Sequence, residues 1–147
     1  ISSGIIGDFK SFGVEKTRLK FAEQTSREKF LATYNQIDIA LDPFPYPGGT
    51  STCEALWMGV PVITKRGFNF LSRMGETILH NTGNGDLCAK NNEDYVSLAL
   101  KLAKDTSFLS NSRAKRREQT LKSCIFDAGS FAINFENMIF DLKKNEN

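Results

Sequence analysis

The run Ile37-Asp38-Ile39-Ala40-Leu41-Asp42-Pro43-Phe44-Pro45-Tyr46-Pro47-Gly48-Gly49-Thr50-Ser51-Thr52-Cys53-Glu54-Ala55-Leu56-Trp57-Met58-Gly59-Val60-Pro61-Val62-Ile63-Thr64 contains all four prolines of the chain. Residues 37–41 read as a buried strand and 60–64 as the next one, because short apolar runs bounded by turn residues suit a covered sheet. Between them a loop over 42–49 leads into a helix over 50–58, which Gly59 ends through its tolerance of the left-handed cap conformation. Proline fixes φ near −65° and lacks a backbone donor, so this loop is pre-set and cannot extend the sheet. Gly48 and Gly49 then allow close backbone approach. In an open α/β sheet, ligands sit outside the carboxyl ends of the strands, which is where this loop falls.

Outward from this unit, strand and helix signals continue to alternate. Residues 18–22 are a short strand candidate, and Thr25 or Ser26 caps a helix from 27 to about 35 with Phe30, Leu31 and Tyr34 on one face. Helical patterning recurs over 71–79, a short strand over 86–89, and a helix over 93–104 capped by Asn92. Helices over 108–122 and from Asp127 onward close the chain, the last one presenting Phe131, Phe135, Met138 and Leu142 at helical spacing. Alternation with short connections predicts a Rossmann-like α/β fold, a parallel sheet covered by helices, with a helical C-terminal tail across one sheet edge. The 147 residues form one partial domain on this reading, 18–104 holding the sheet and 105–147 the helices.

Composition narrows the function. Lys plus Arg number 19 and Asp plus Glu 17, for a net charge of +2, with 40% hydrophobic and 24% charged residues. That balance is globular, excludes disorder, and gives too weak a field for a bulk-charge polyanion binder. Cys53, Cys88 and Cys124 lie far apart without C-x-x-C spacing, and His80 is the lone histidine. No local Cys/His zinc cluster is written there, and three reduced, mostly buried thiols suit a cytosolic protein. No apolar run reaches the roughly 18 residues a membrane span needs. The start, Ile1-Ser2-Ser3-Gly4, has neither Met nor a basic leader, so it reads as a cut from something longer rather than a signal peptide.

The chemistry concentrates at the start of the helix over 50–58. First-turn backbone N–H groups carry roughly half a positive charge, and Thr50, Ser51 and Thr52 add hydroxyl donors behind a side-chain-free Gly49. That set suits a phosphate or diphosphate, and Glu54 one turn on suits a vicinal diol such as ribose. The alternative is that Thr50 caps the helix and Glu54 completes a capping box. Neither a P-loop nor a dinucleotide fingerprint is present. Elsewhere, His80 suits a helix C-terminus, Trp57 reads as core, and Arg113, Lys115, Arg116 and Arg117 read as a solvated face or a contact with an acidic partner. Arg73 either reaches the cleft or anchors the loop over 65–68.

The central run resembles the O-linked N-acetylglucosamine transferase and SPINDLY family. Ser72-Arg73-Met74-Gly75, Tyr95-Val96, Leu102-Ala103-Lys104-Asp105 and Ser123-Cys124-Ile125-Phe126-Asp127 extend the similarity over roughly 18–142. The resemblance implies a GT-B glycosyltransferase, this chain being the C-terminal part of its donor-binding half. The implied activity is inverting transfer of an N-acetylglucosamine-like sugar from a nucleoside diphosphate, a UDP-sugar foremost, to protein Ser/Thr hydroxyls in the cytoplasm. No metal, cofactor, nucleic acid or membrane is implied.

Carried over by position, Gly49, Thr50, Ser51 and Thr52 hold the donor diphosphate, Glu54 binds the ribose, and Thr25, Arg27 and Phe30 lie along the base. The family has histidine where this chain has Phe30, and threonine or histidine where it has Gly49. Its diphosphate-binding lysine, catalytic groups, first Rossmann half and acceptor-holding tetratricopeptide repeats would precede Ile1, so this chain alone is expected to be inactive. The competing expectation is a non-catalytic Rossmann-like module kept for packing or partner binding.

Overall fold

A computed structural model describes residues 2–144, and the chain divides into two compact units, 1–30 and 31–147. The first unit holds helix α1 (Ser2–Ser11) and a 3-10 turn over Lys16–Arg18. The strand expected over 18–22 is absent: residues 19–26 are irregular and mostly exposed. Alternating apolar and basic residues mimic a strand locally, but a strand needs a partner to pair its backbone, and none adjoins this segment. Helix α2 (Arg27–Thr33) opens after Ser26, whose Oγ accepts from the Lys29 amide at 3.5 Å.

The second unit is built on three parallel strands in the order β1 (Ala40–Leu41), β2 (Val62–Lys65) and β3 (Cys88–Ala89). Ala40 pairs with Val62 and Leu41 with Ile63, while Thr64 pairs with Cys88 and Lys65 with Ala89. Helix α3 (Thr50–Trp57) crosses from β1 to β2, and α4 (Met74–Asn81) from β2 to β3. Gly59, at φ +75°, turns the chain from α3 into β2 as predicted. Leu56, Val60, Val62, Ile63 and Leu79 are fully enclosed, so β2 and the inner faces of α3 and α4 form the centre of the core. β1 is shorter than expected and lies at the sheet edge, where Leu41 is 58% exposed.

Helix α5 (Asn92–Lys104) is capped by Asn91 rather than Asn92: the Asn91 Oδ1 accepts from the Asp94 amide at 2.8 Å, one residue earlier than the pattern suggested. Helix α6 (Thr106–Leu121) packs against α3 and α5. Helix α7 (Ala128–Lys144) starts as predicted at Asp127, whose carboxylate accepts from Ser130 at 3.0 Å. Its apolar face is present but buries no residue, and Phe131 and Phe135 stack on each other in the open. No helix among the described residues is long and apolar enough to cross a membrane.

Candidate functional site

The loop after β1 is tied down at both ends. The Asp42 backbone N–H donates to Ile63 at 2.9 Å, keeping its start in the sheet, and Tyr95 on α5 donates its hydroxyl to the Asp42 carbonyl at 2.9 Å. Burial, with the Asp42 charge nearby, pushes the Tyr95 phenol up to about 12. The Asp42 carboxylate is 4% exposed and accepts from the Gly48 amide at 2.7 Å, from Thr64 at 2.7 Å and from Thr52 at 3.5 Å. Burial raises its pKa above the ordinary carboxylate value, against the lowering effect of those three donors. Phe44, Pro45 and Tyr46 at the loop tip are exposed, and the Phe44 ring carries the Lys65 ammonium 3.7 Å from its centre.

Helix α3 opens at Gly49, and Gly49 is its N-cap, with no side-chain capping bond. The capping-box alternative therefore fails: Thr50 is the first helical residue rather than the cap, and Glu54 sits too far along to close a box. The first-turn N–H groups of Thr50, Ser51 and Thr52 lie beyond the reach of intrahelical acceptors, as they do in any α-helix. Thr50 and Ser51 are exposed, whereas Thr52 is 3% exposed with its hydroxyl turned to Asp42. Any outward hydroxyl contribution thus rests on Thr50 and Ser51, with Thr52 offering its backbone.

A Cβ at Gly49 would lie 3.3 Å from the flexible Met74 methyl, which a small shift relieves, whereas one at Gly48 would lie 2.5 Å from the Ser51 hydroxyl. Glu54 is half-buried and close enough to Tyr34 for its charge to add to the burial that raises the phenol's pKa. The Tyr34 hydroxyl donates to the Ser51 carbonyl at 3.2 Å, and a recess of about 170 Å³ lies between Tyr34, Asp42, Ser51 and Thr52. Gly49, Thr50, Ser51, Thr52 and Glu54 are thus brought to one helix end in the second unit. Thr25, Arg27 and Phe30 are exposed residues of the first unit, just before and within α2.

Several other expectations change. Arg73 donates to the Gly67 carbonyl at 3.0 Å and stands 3.7 Å from Glu76, so it anchors its own loop. Trp57 is not core: it is 38% exposed at the end of α3, edge-on to Phe126 and beside the Arg117 guanidinium. Cys124 is exposed, while burial raises the half-buried Cys53 and Cys88 thiols.

The basic cluster on α6 is mostly not a solvated face. Arg113 donates to the carbonyls of Tyr34 at 2.5 Å, Ile37 at 3.1 Å and Met58 at 3.2 Å. Arg116 donates to Asn84 at 2.5 Å, and Arg117 donates to the Trp57 carbonyl. Lys115 is exposed.

His80 lies in the last turn of α4 as expected, but the fold also brings a carboxylate oxygen of Glu76, an imidazole nitrogen of His80 and the Cys88 sulfur within 4.8 Å of one another. Sequence spacing does not show this trio, because Cys88 comes from a different element. Glu76 is held by Arg66 at 3.2 Å as well as by Arg73, so two guanidiniums stand against the carboxylate a cation would need.

Comparison with known proteins places the loop and helix in a family. The sequence pattern of glycosyl transferase family 41 matches residues 4–135. A probable UDP-N-acetylglucosamine–peptide N-acetylglucosaminyltransferase SPINDLY of Eustoma exaltatum subsp. russellianum is 40% identical over 132 residues, covering 89% of this chain and 14% of its own length. The protein of the same description from Hordeum vulgare is 44% identical over 107 residues, covering 73% of this chain and 11% of its own. An O-GlcNAc transferase mutant of Thermobaculum terrenum superposes with a TM-score of 0.85 at 36% identity, over 94% of this chain and 26% of that one. The chain therefore spans a small part of the curated relatives it matches. With the parallel sheet, the stiff loop after β1 and the start of α3 all lying within the matched residues, the chain belongs to glycosyl transferase family 41.

Proposed function

We propose that this chain supplies the donor-diphosphate site of a glycosyltransferase. The enzyme would move an N-acetylglucosamine-like sugar from a UDP-sugar to Ser or Thr hydroxyls of proteins, with inversion. The observation that carries this reading is the start of α3: a side-chain-free N-cap followed by exposed Thr50 and Ser51, at the end of an edge strand in a parallel sheet.

Sugar transfer leaves a diphosphate whose negative charge grows as the glycosidic bond breaks. A fixed positive helix end strengthens its interaction as that charge develops, which lowers the barrier rather than merely tightening ground-state binding. The Thr50 and Ser51 hydroxyls add donors on the same side, and Glu54 is placed one turn on for the ribose diol. The roles of Thr25 and Arg27 toward the base rest on the resemblance to the family, and Phe30, where the family has histidine, offers the base a ring without a hydrogen-bond donor. Sugar activation, the acceptor and any general base are assigned to the rest of a protein of the relatives' length.

Calorimetric titration with UDP and GDP tests the reading. Thr50→Ala with Ser51→Ala should raise the UDP Kd by about tenfold, the size of one lost charge-assisted hydrogen bond. The melting temperature should stay near the parent value, because both side chains are exposed. An unchanged Kd in the double variant would remove these residues from the site. If neither UDP nor GDP binds a protein of the relatives' length that carries this chain, the retained-module expectation is favoured.

A further inference from the structure

We infer that Asp42 is the positioning residue of this site, its buried carboxylate clamping the end of the proline loop to the first turn of α3 and so setting the direction of the Thr50 and Ser51 donors. The functional meaning of the clamp rests on the diphosphate reading above; the clamp itself rests on geometry. One oxygen, Oδ1, accepts from Gly48, the last loop residue before the cap, and from Thr52 in the first helical turn. The other, Oδ2, accepts from Thr64 on β2. A single side chain thus joins the central strand of the sheet, the loop and the helix start. The surroundings are cut to fit it: a Cβ at Gly75 would lie 2.6 Å from Oδ2, and one at Gly48 would lie 2.7 Å from the Thr52 hydroxyl.

This is a poor arrangement for stability alone. The groups that hold the carboxylate are one amide and two hydroxyls, none of them cationic. A buried charge so held carries a desolvation cost that an apolar residue of similar volume avoids. What it supplies is direction. Turning the Thr52 hydroxyl inward leaves Thr50 and Ser51 as the outward hydroxyls. The negative charge behind the first turn also confines an incoming anion to the outer side. Buried, fully bonded polar groups of this kind hold a binding shell in one geometry.

The test compares Asp42→Asn with Thr64→Val in this chain by backbone amide exchange, thermal unfolding and UDP titration. Asp42→Asn removes the charge at the clamp, whereas Thr64→Val removes only the Oδ2 partner on the strand. The Gly48 amide, and the Cys53 amide that closes the first turn on Gly49 at 3.1 Å, should exchange about tenfold faster in Asp42→Asn and at the parent rate in Thr64→Val. UDP affinity should fall about tenfold in Asp42→Asn alone. Thr52→Val should move the Cys53 amide in the same direction by less, and it keeps the test alive if Asp42→Asn does not fold.

Equal losses of melting temperature in Asp42→Asn and Thr64→Val, with the Gly48 and Cys53 amides unmoved, would make Asp42 a packing residue and overturn the inference. If the amides respond as expected while a protein of the relatives' length that carries this chain takes up no UDP, the clamp stands and the diphosphate reading fails.

Discussion

Arg113 shows most clearly how direction escapes a linear reading. Beside Lys115, Arg116 and Arg117 it looks like part of a solvated stripe, yet its guanidinium reaches three main-chain carbonyls, those of Tyr34, Ile37 and Met58. Tyr34 and Ile37 bracket the 3-10 turn that leads to β1, and Met58 ends α3 ahead of β2, so one side chain staples the approaches to two strands. Its planar fork of donors suits that task where a lysine does not. Arg113→Met should therefore cost about 2–3 kcal/mol of unfolding free energy, as buried acceptors lose a charged donor. Lys115→Met should change it by less than about 0.5 kcal/mol. Denaturant midpoints of the two variants check this, and equal small effects would contradict the staple. Trp57 reverses the lesson: an apolar side chain read as core is 38% exposed, edge-on to Phe126 and beside the Arg117 guanidinium.

Among the elements, α3 and the turn that leaves it were legible and the first strand candidate was not. Gly59 was read as a left-handed cap from its place after a helical run, and its φ of +75° agrees. The structure adds a second reason that no local pattern contains. A Cβ at Gly59 would lie 2.5 Å from the Arg113 carbonyl, because α6 crosses against the end of α3. Gly59→Ala should accordingly cost more than the roughly 1–2 kcal/mol of the left-handed backbone alone, read as a fall in melting temperature beyond that of Gly13→Ala. Gly13, at φ +78°, has nothing within 4 Å of the same position. The segment over 18–22 was misread because a strand is half a structure: its alternation signals β only when a neighbour pairs its backbone. A helix closes its hydrogen bonds within itself, which is why α2, α5 and α6 were found within one or two residues of their ends.

At the scale of the whole molecule, the buried carboxylate sets the pH response. Burial raises the Asp42 pKa above its unfolded value of 3.8. The folded protein therefore holds that proton more tightly, and the stabilising contribution is complete below 3.8 and is lost as pH rises through the raised folded value. Glu118 and Asp127 have lowered values and act in the opposite sense, Glu118 through its bond to Lys122 and Asp127 through its bonds to Ser130, but both are fully exposed and solvent screens them. The melting temperature of the parent should thus fall relative to that of Asp42→Asn as pH is raised from below 3.8 toward neutrality. Parallel curves would mean that Asp42 does not titrate on folding. The same carboxylate then lowers stability where it is ionised, as a buried charge held only by neutral donors does.

Taken alone, the amino-acid order determined what depends on neighbours along the chain: the parallel α/β class, the stiff loop over 42–49, the helix opening at Thr50 and the caps at Gly59 and Asp127. Turn residues, caps and hydrophobic periods act within a few positions, so they are written locally. The tertiary structure decided what depends on neighbours in space. It made Gly49 rather than Thr50 the cap, turned Thr52 inward onto Asp42, drew Arg113 onto three carbonyls, and gathered Glu76, His80 and Cys88 from separate elements. The Thr52 and Arg113 placements follow from which group finds a hydrogen-bond partner when water is excluded, the trio follows from the packing of α4 against β3, and only the packed chain brings these groups within reach.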